Sequence, residues 1–219
     1  KLSRQKNNMK KADYAKVTIW IMAIAFITRI IIALITTPAG DAAWHMNIAR
    51  FIGENFKIPL FESLGRQAFA RPPLFEITGA FFYNIFGDTG IKLVSPLASL
   101  GVLILVYLIA KELTDKKTAV FALIFMAVLP LSTYMSVTGH TIMINTLLVC
   151  ATIYSLLKNK ILLAGIFTGL ALLNRYEGIL IFPVILIFYL YKHKEDKNAK
   201  KNEKKETKNK EKYIRNIAI

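Results

Sequence analysis

Cysteine is almost absent from this chain, and so are the short fingerprints by which many enzymes declare themselves. Cys150 is alone and lies inside an apolar run, which excludes an internal disulfide and a cysteine metal site. No P-loop, G-x-S-x-G, HExxH or dinucleotide-binding glycine pattern occurs anywhere. Acidic residues are also scarce, 14 against 29 Lys and Arg, for a net charge of +15. The first long apolar run ends without an A-x-A-like cleavage site, which favours a retained anchor over a cleaved signal peptide.

What is abundant is apolar surface, 54% of 219 residues. A soluble domain rarely combines that fraction with so large a charge, so the two must be segregated along the chain. They are: residues 1–16 and 192–215 hold much of the basic excess, and the middle holds long apolar runs. A nucleic-acid binder would spread its lysines over a folded surface and would lack such runs, so nucleic acid is not an expected partner.

Residues 17–36 are long enough to cross a bilayer core of roughly 30 Å as a helix. Arg29 inside that run is costly unless it snorkels or pairs within the protein. Further spans are expected at 91–110, 118–137, 141–157, 161–173 and 178–191. Between the first two lies the only long polar-containing segment among the apolar runs, Gly40 to Pro73. Within 42–54, Trp44, Ile48, Phe51 and Ile52 share one helical face, with His45, Asn47, Arg50 and Glu54 elsewhere around it. The pattern predicts an amphipathic helix lying on the membrane surface. Residues 72–87 open on Pro72-Pro73 and end at Gly87, which predicts a second interfacial helix too short to span comfortably.

Charge then sets the topology. If 72–87 does not cross, the loop Lys111–Lys117, the turn Lys158–Lys160 and both basic tails fall on one side, the cytoplasm by the positive-inside rule. The expectation is an all-α polytopic membrane protein of about six transmembrane helices, with two interfacial helices in the first outer loop. Its parts are a basic cytoplasmic segment 1–16, a membrane module 17–191, and a Lys/Glu-rich tail 192–219 that should be solvated and disordered. Both termini are then cytoplasmic, and loop 37–90, turn 138–141 and Asn174–Glu177 gather on the outer face. The chain starts on Lys and turns apolar again at Tyr213–Ile219, as a piece of a longer protein would.

Chemistry needs a watered pocket, and the outer loop offers the best place. Asp41 begins the first interfacial helix. It reads as an N-cap, or as a catalytic base ionised by the helix N-terminus, and the two are compatible. Arg71 reads as a snorkelling interfacial arginine or as a planar fork for a phosphate, and Arg175 with Glu177 allows the same two readings. His45, one turn from Asp41, allows a divalent metal, although a lone His on such a helix is more often polar surface. Gly165 and Gly169 form a G-x-x-x-G pattern whose expected meaning is close helix packing.

These stretches together resemble the polytopic lipid-linked-sugar glycosyltransferases of the C-type superfamily, protein mannosyltransferases and the aminoarabinose lipid A transferase. The resemblance is carried by GDAAWHMNIARFI, ARPPLFEI, LIFMAVLPLSTYMSVTGHTIMINTLLV and ILLAGIFTGLALLNRYEGILIFPVILI, over roughly residues 15–192. It implies a membrane glycosyltransferase that moves a sugar from a polyprenyl (dolichyl-type) phosphate to a protein, lipid or glycan hydroxyl on the outer face of the cell membrane. Carried over, Asp41 matches the catalytic aspartate, Arg71 the basic residue near the donor phosphate, and Arg175 a position where the family often keeps Lys. Two positions depart: Ala42 stands where a second acidic residue is frequent, and His140 where the second outer turn often holds Asp or Glu. His45, His140 and Glu177 are therefore the candidates for a divalent metal or a second site. The alternatives are a non-catalytic relative serving as a membrane scaffold, and a transporter or lipid flippase. Against transport, intramembrane charge is limited to Arg29 and Lys92, and no hydropathy repeat is visible.

Overall fold

A computed structural model describes residues 2–59 and 72–190. Every regular element among them is helical. In order these are α1 Leu2–Ile35, α2 Asp41–Asn55, α3 Leu74–Phe86, α4 Asp88–Leu113, α5 Lys116–Val128, α6 Pro130–Val137, α7 Ile142–Leu157 and α8 Ile161–Asn174. A 3-10 turn, Tyr176–Leu180, follows. The chain divides into two compact units, 1–179 and 180–219, and the packing and site described below belong to the first. Of the second, residues 181–190 are helical.

Large apolar side chains stand outward on α1 and α8, among them Trp20, Ile24 and Leu162. In water such a surface would be a liability, whereas a bilayer covers it. Tyr14–Ile35 and α4 are long and apolar enough to cross a membrane. The protein is an all-α polytopic membrane protein. Helices α7, α8 and Tyr176–Leu190 coincide with expected spans but run to fewer than 18 residues. By length alone, then, two crossings are plain among the described residues and a third needs α5 and α6 to be taken together, short of the expected six.

The expected span 118–137 is not one helix. It bends by 57° between α5 and α6. Pro130 is the cause: it occupies the first turn of α6, where it supplies no N–H and cannot continue the hydrogen bonding of α5. The carbonyls of Met126 and Ala127 are thereby orphaned, and Arg29 of α1 takes them. Its Nη2 lies 3.2 Å from Met126 O, 3.3 Å from Ala127 O and 3.1 Å from Ser132 Oγ, and the residue is 1% exposed. Arg29 therefore pairs within the protein rather than snorkelling. Lys92 does the same for α1, with Nζ 3.3 Å from Leu34 O and 3.0 Å from Thr36 O. Both intramembrane cations cap the negative end of a helix.

Helix α4 is the post of the bundle and contacts α1, α2, α3, α5, α6 and α7. At one end Glu112 of α4 meets Lys158 at the foot of α7 at 2.5 Å, so the Lys111–Lys117 loop and the Lys158–Lys160 turn share that end. At the start of α4, Asp88 receives a two-pronged bond from Arg50 of α2, Nε to Oδ1 at 2.8 Å and NH2 to Oδ2 at 2.7 Å. Half-exposed, that pair contributes at most about 1 kcal/mol. Its use is to fix where α2 sits.

Helices α2 and α3 form as predicted, with Pro73 and Gly87 flanking α3. They pack on each other and on α4. The packed face of α2 differs from the expected one. Ala42, His45, Met46, Ala49 and Gly53 are buried along with Ile48, whereas Phe51 is 42% exposed. Size explains the difference. A Cβ on Gly79 would lie 2.9 Å from Ala49 Cβ, and one on Gly53 would lie 2.6 Å from Tyr83 Cδ1, so the helices approach where side chains are smallest. Met46, Ala49 and Ile91 close the small core behind them.

The Gly165/Gly169 pair does not mediate close packing among the described residues. A Cβ on either would meet nothing within 4 Å. Helix α8 instead buries Ala164, Thr168 and Ala171 and packs against α7. The glycines sit one position further on and point away from that seam.

Candidate active site

Four segments separated in the sequence converge on one cleft of about 320 Å³. It is lined by Asp41, His45 and Pro72, by Thr141, and by Asn174, Arg175, Tyr176 and Glu177. Asp41 reaches it because Gly40 adopts φ 57°, ψ −129°, a conformation open in practice to glycine, and turns the chain directly into α2. Gly40 therefore holds the N-cap position, and Asp41 is the first residue of the helix. The cap expected of Asp41 is displaced by one residue, while its carboxylate still sits at the positive helix end.

Arg175 follows the last residue of α8 with extended backbone. Its fork is held on two sides. Nε and Nη2 donate to the Glu177 carboxylate at 3.2 and 2.8 Å, and Nη1 donates to Thr141 Oγ1 at 2.9 Å. The Arg175 hydrogen bonds hold the Glu177 carboxyl below its ordinary value. Beneath them Asn174, 2% exposed, donates from Nδ2 to the Thr141 carbonyl at 2.9 Å. Thr141 thus ties the turn before α7 to the end of α8.

His45 is not polar surface. It is 2% exposed, and Nδ1 lies 2.5 Å from Oε1 of Glu76, itself 3% exposed. The rings of Trp44 and Phe75 meet it edge-on at 4.8 and 5.6 Å.

Of the expected site residues, Asp41, His45, Arg175 and Glu177 come together in the cleft. His140 stands beside the lining residue Thr141 without lining the cleft itself, and its main-chain carbonyl accepts from Ser95 Oγ at 3.0 Å. Arg71 lies outside the described residues, as does the tail 192–215; the next residue, Pro72, lines the cleft. Sequence reasoning missed Thr141 and Asn174 as wall residues and Glu76 as the partner of His45. Their neighbours His140 and Arg175 were the available signal for the first two. For Glu76, 31 residues from His45, there was none. Among the described residues, no group of three or more His, Cys, Asp or Glu comes together to hold a metal ion.

A family model, dolichyl-phosphate-mannose-protein mannosyltransferase, matches residues 70–205, more than half of the chain. The chain belongs to that family. The match takes in Pro72, Thr141, Asn174, Arg175, Tyr176 and Glu177 of the cleft wall, whereas Asp41 and His45 stand upstream of it. No curated protein and no solved structure matches the chain significantly. Membership of this mannosyltransferase family makes the chain a membrane glycosyltransferase by class.

Proposed function

We infer that the chain carries the catalytic cleft of a transferase that moves a sugar from a polyprenyl phosphate to an acceptor hydroxyl on the outer face of the membrane. The observation that supports this reading is the convergence on one cleft of Asp41 with Arg175 and Glu177, from two segments more than 130 residues apart. An acceptor hydroxyl is a weak nucleophile, and its attack on the anomeric carbon is helped when a carboxylate takes the proton. Asp41, exposed and at a helix start, is suited to that task. The departing polyprenyl phosphate is an anion that needs cationic help, and a planar fork matches it. Arg71, next to Pro72, is assigned the fork, and Arg175, whose own fork is held by Glu177 and Thr141, adds positive charge beside it. The Lys111–Lys117 loop and the Lys158–Lys160 turn share the far end of α4, and taking that Lys-rich end as cytoplasmic supports an outer-side cleft.

Asp41→Asn in the full-length protein tests the reading. The substitution keeps the shape, so folding and donor binding should survive while transfer from a polyprenyl-phosphate sugar falls by about 10²-fold or more. Transfer at the wild-type rate would remove Asp41 from catalysis and send the search to Glu177.

A further inference from the structure

We propose that His45, oriented by Glu76, is the proton relay behind Asp41. The proposal rests on the transferase reading above and adds to it the route by which the acceptor proton leaves. The geometry begins with the helix. Asp41 and His45 are four residues apart on α2, which sets their Cβ atoms about 5–6 Å apart on one face. Both line the cleft, whereas Glu76 does not. Glu76 grips Nδ1 at 2.5 Å, so proton exchange between His45 and the cleft passes through Nε2. Trp44 and Phe75 hold the ring edge-on and prevent it from swinging.

Structure alone gives this pair little reason to exist. Burying a carboxylate and an imidazole between two helices costs desolvation that apolar residues avoid. The α2–α3 contact is already closed by Ala49, Gly79, Gly53 and Tyr83. Glu76 Oε2 is moreover buried with no hydrogen-bond partner among the described residues, so what the carboxylate achieves there it achieves through Oε1 on His45. A base–orienter pair at a cleft is the arrangement general acid–base chemistry uses.

The step balances as follows. The acceptor oxygen forms a bond to the anomeric carbon while the bond from that carbon to the phosphate oxygen breaks, its electron pair leaving with the polyprenyl phosphate. The acceptor proton passes to the Asp41 carboxylate and from there to Nε2 of His45. The resulting imidazolium faces the Glu76 carboxylate, which stabilises it. Asp41 is thereby returned ionised, and Nε2 of His45 then gives the proton to water in the cleft, which resets the pair before the next acceptor binds.

The experiment measures donor binding and transfer in full-length Asp41→Asn, His45→Gly and Glu76→Gln, with and without free imidazole. For His45→Gly, transfer should fall by about 10²-fold with donor binding unchanged, and imidazole should restore about tenfold of it. Glu76→Gln, which keeps the hydrogen bond and loses the charge, should lower kcat about tenfold without raising the donor KM. A purely structural histidine would not be rescued by imidazole. Should His45→Gly fail to fold, the kcat of Glu76→Gln decides alone, and an unchanged value overturns the relay. An inactive Asp41→Asn beside a fully active His45→Gly would sink the relay and spare the transferase. A fully active Asp41→Asn would sink both.

Discussion

Arg29 and Met126, 97 residues apart, meet at 3.2 Å because Pro130 has left the Met126 carbonyl without its helical donor. A charge inside an apolar span suggests transport or signalling. Here it repairs a helix end. The same holds for Lys92 and the carbonyls of Leu34 and Thr36. The two charges that stood out in the spans are thus accounted for by capping.

That account predicts coupling between Arg29 and Pro130. Arg29→Leu should destabilise the protein by about 1–3 kcal/mol, since it leaves buried carbonyls unpaired. In a Pro130→Ala background, the helix can run through and supply its own donor at residue 130. There Arg29→Leu should cost less, or stabilise. A double-mutant cycle of unfolding in detergent should give a coupling of about 1 kcal/mol or more. Strict additivity would mean that Arg29 does not cap α5.

Close approach of α2 and α3 predicts opposite outcomes at two glycines. Gly79→Ala puts a Cβ 2.9 Å from that of Ala49, between two helix backbones, and should destabilise by about 1–3 kcal/mol while lowering transfer. At Gly165, where a Cβ meets nothing within 4 Å, alanine should be neutral or stabilise by up to about 1 kcal/mol. Equal effects of the two on melting temperature would refute the packing argument.

The Arg175–Glu177 pair predicts a pH dependence of definite sign. Its hydrogen bonds lower the Glu177 pKa in the folded protein. A lowered carboxyl contributes fully above its ordinary value and loses that contribution as pH falls through the folded value. The pair should therefore stay closed from neutral pH down to about 4.5, the ordinary glutamate range, and open only below it. Arg175→Lys, which loses the two-pronged fork, should raise the midpoint toward the ordinary value. Carboxyl NMR of labelled Glu177 reads it, and a midpoint that does not move would show that the fork is not the cause.

Topology is tested by labelling. In a Cys150→Ser background, a cysteine at Thr114 should resist an impermeant thiol reagent added outside and react once the membrane is opened, because the proposed orientation puts the Lys-rich loop around it in the cytoplasm. Labelling from outside would invert the orientation and move the cleft to the cytoplasmic face.

Much of this protein was legible in its sequence because the relevant forces are local or one-dimensional. Apolar runs of about bilayer length, Pro72-Pro73 and Gly87 around α3, and the segregation of lysines each act through nearest neighbours or through the membrane as solvent. The charge pattern even grouped Asp41 with Arg175 and Glu177, since it sorts loops by side. Pro130 was visible too, and its break in the span 118–137 could have been read from its missing N–H. What only the tertiary structure decided is which atoms meet. Periodicity marks the apolar stripe of α2, but helices close where side chains are smallest, and that buried His45 with Ala49 and Gly53. The partners of His45 and Arg29 lie 31 and 97 residues away, and only the packing of one helix against another brings them within reach.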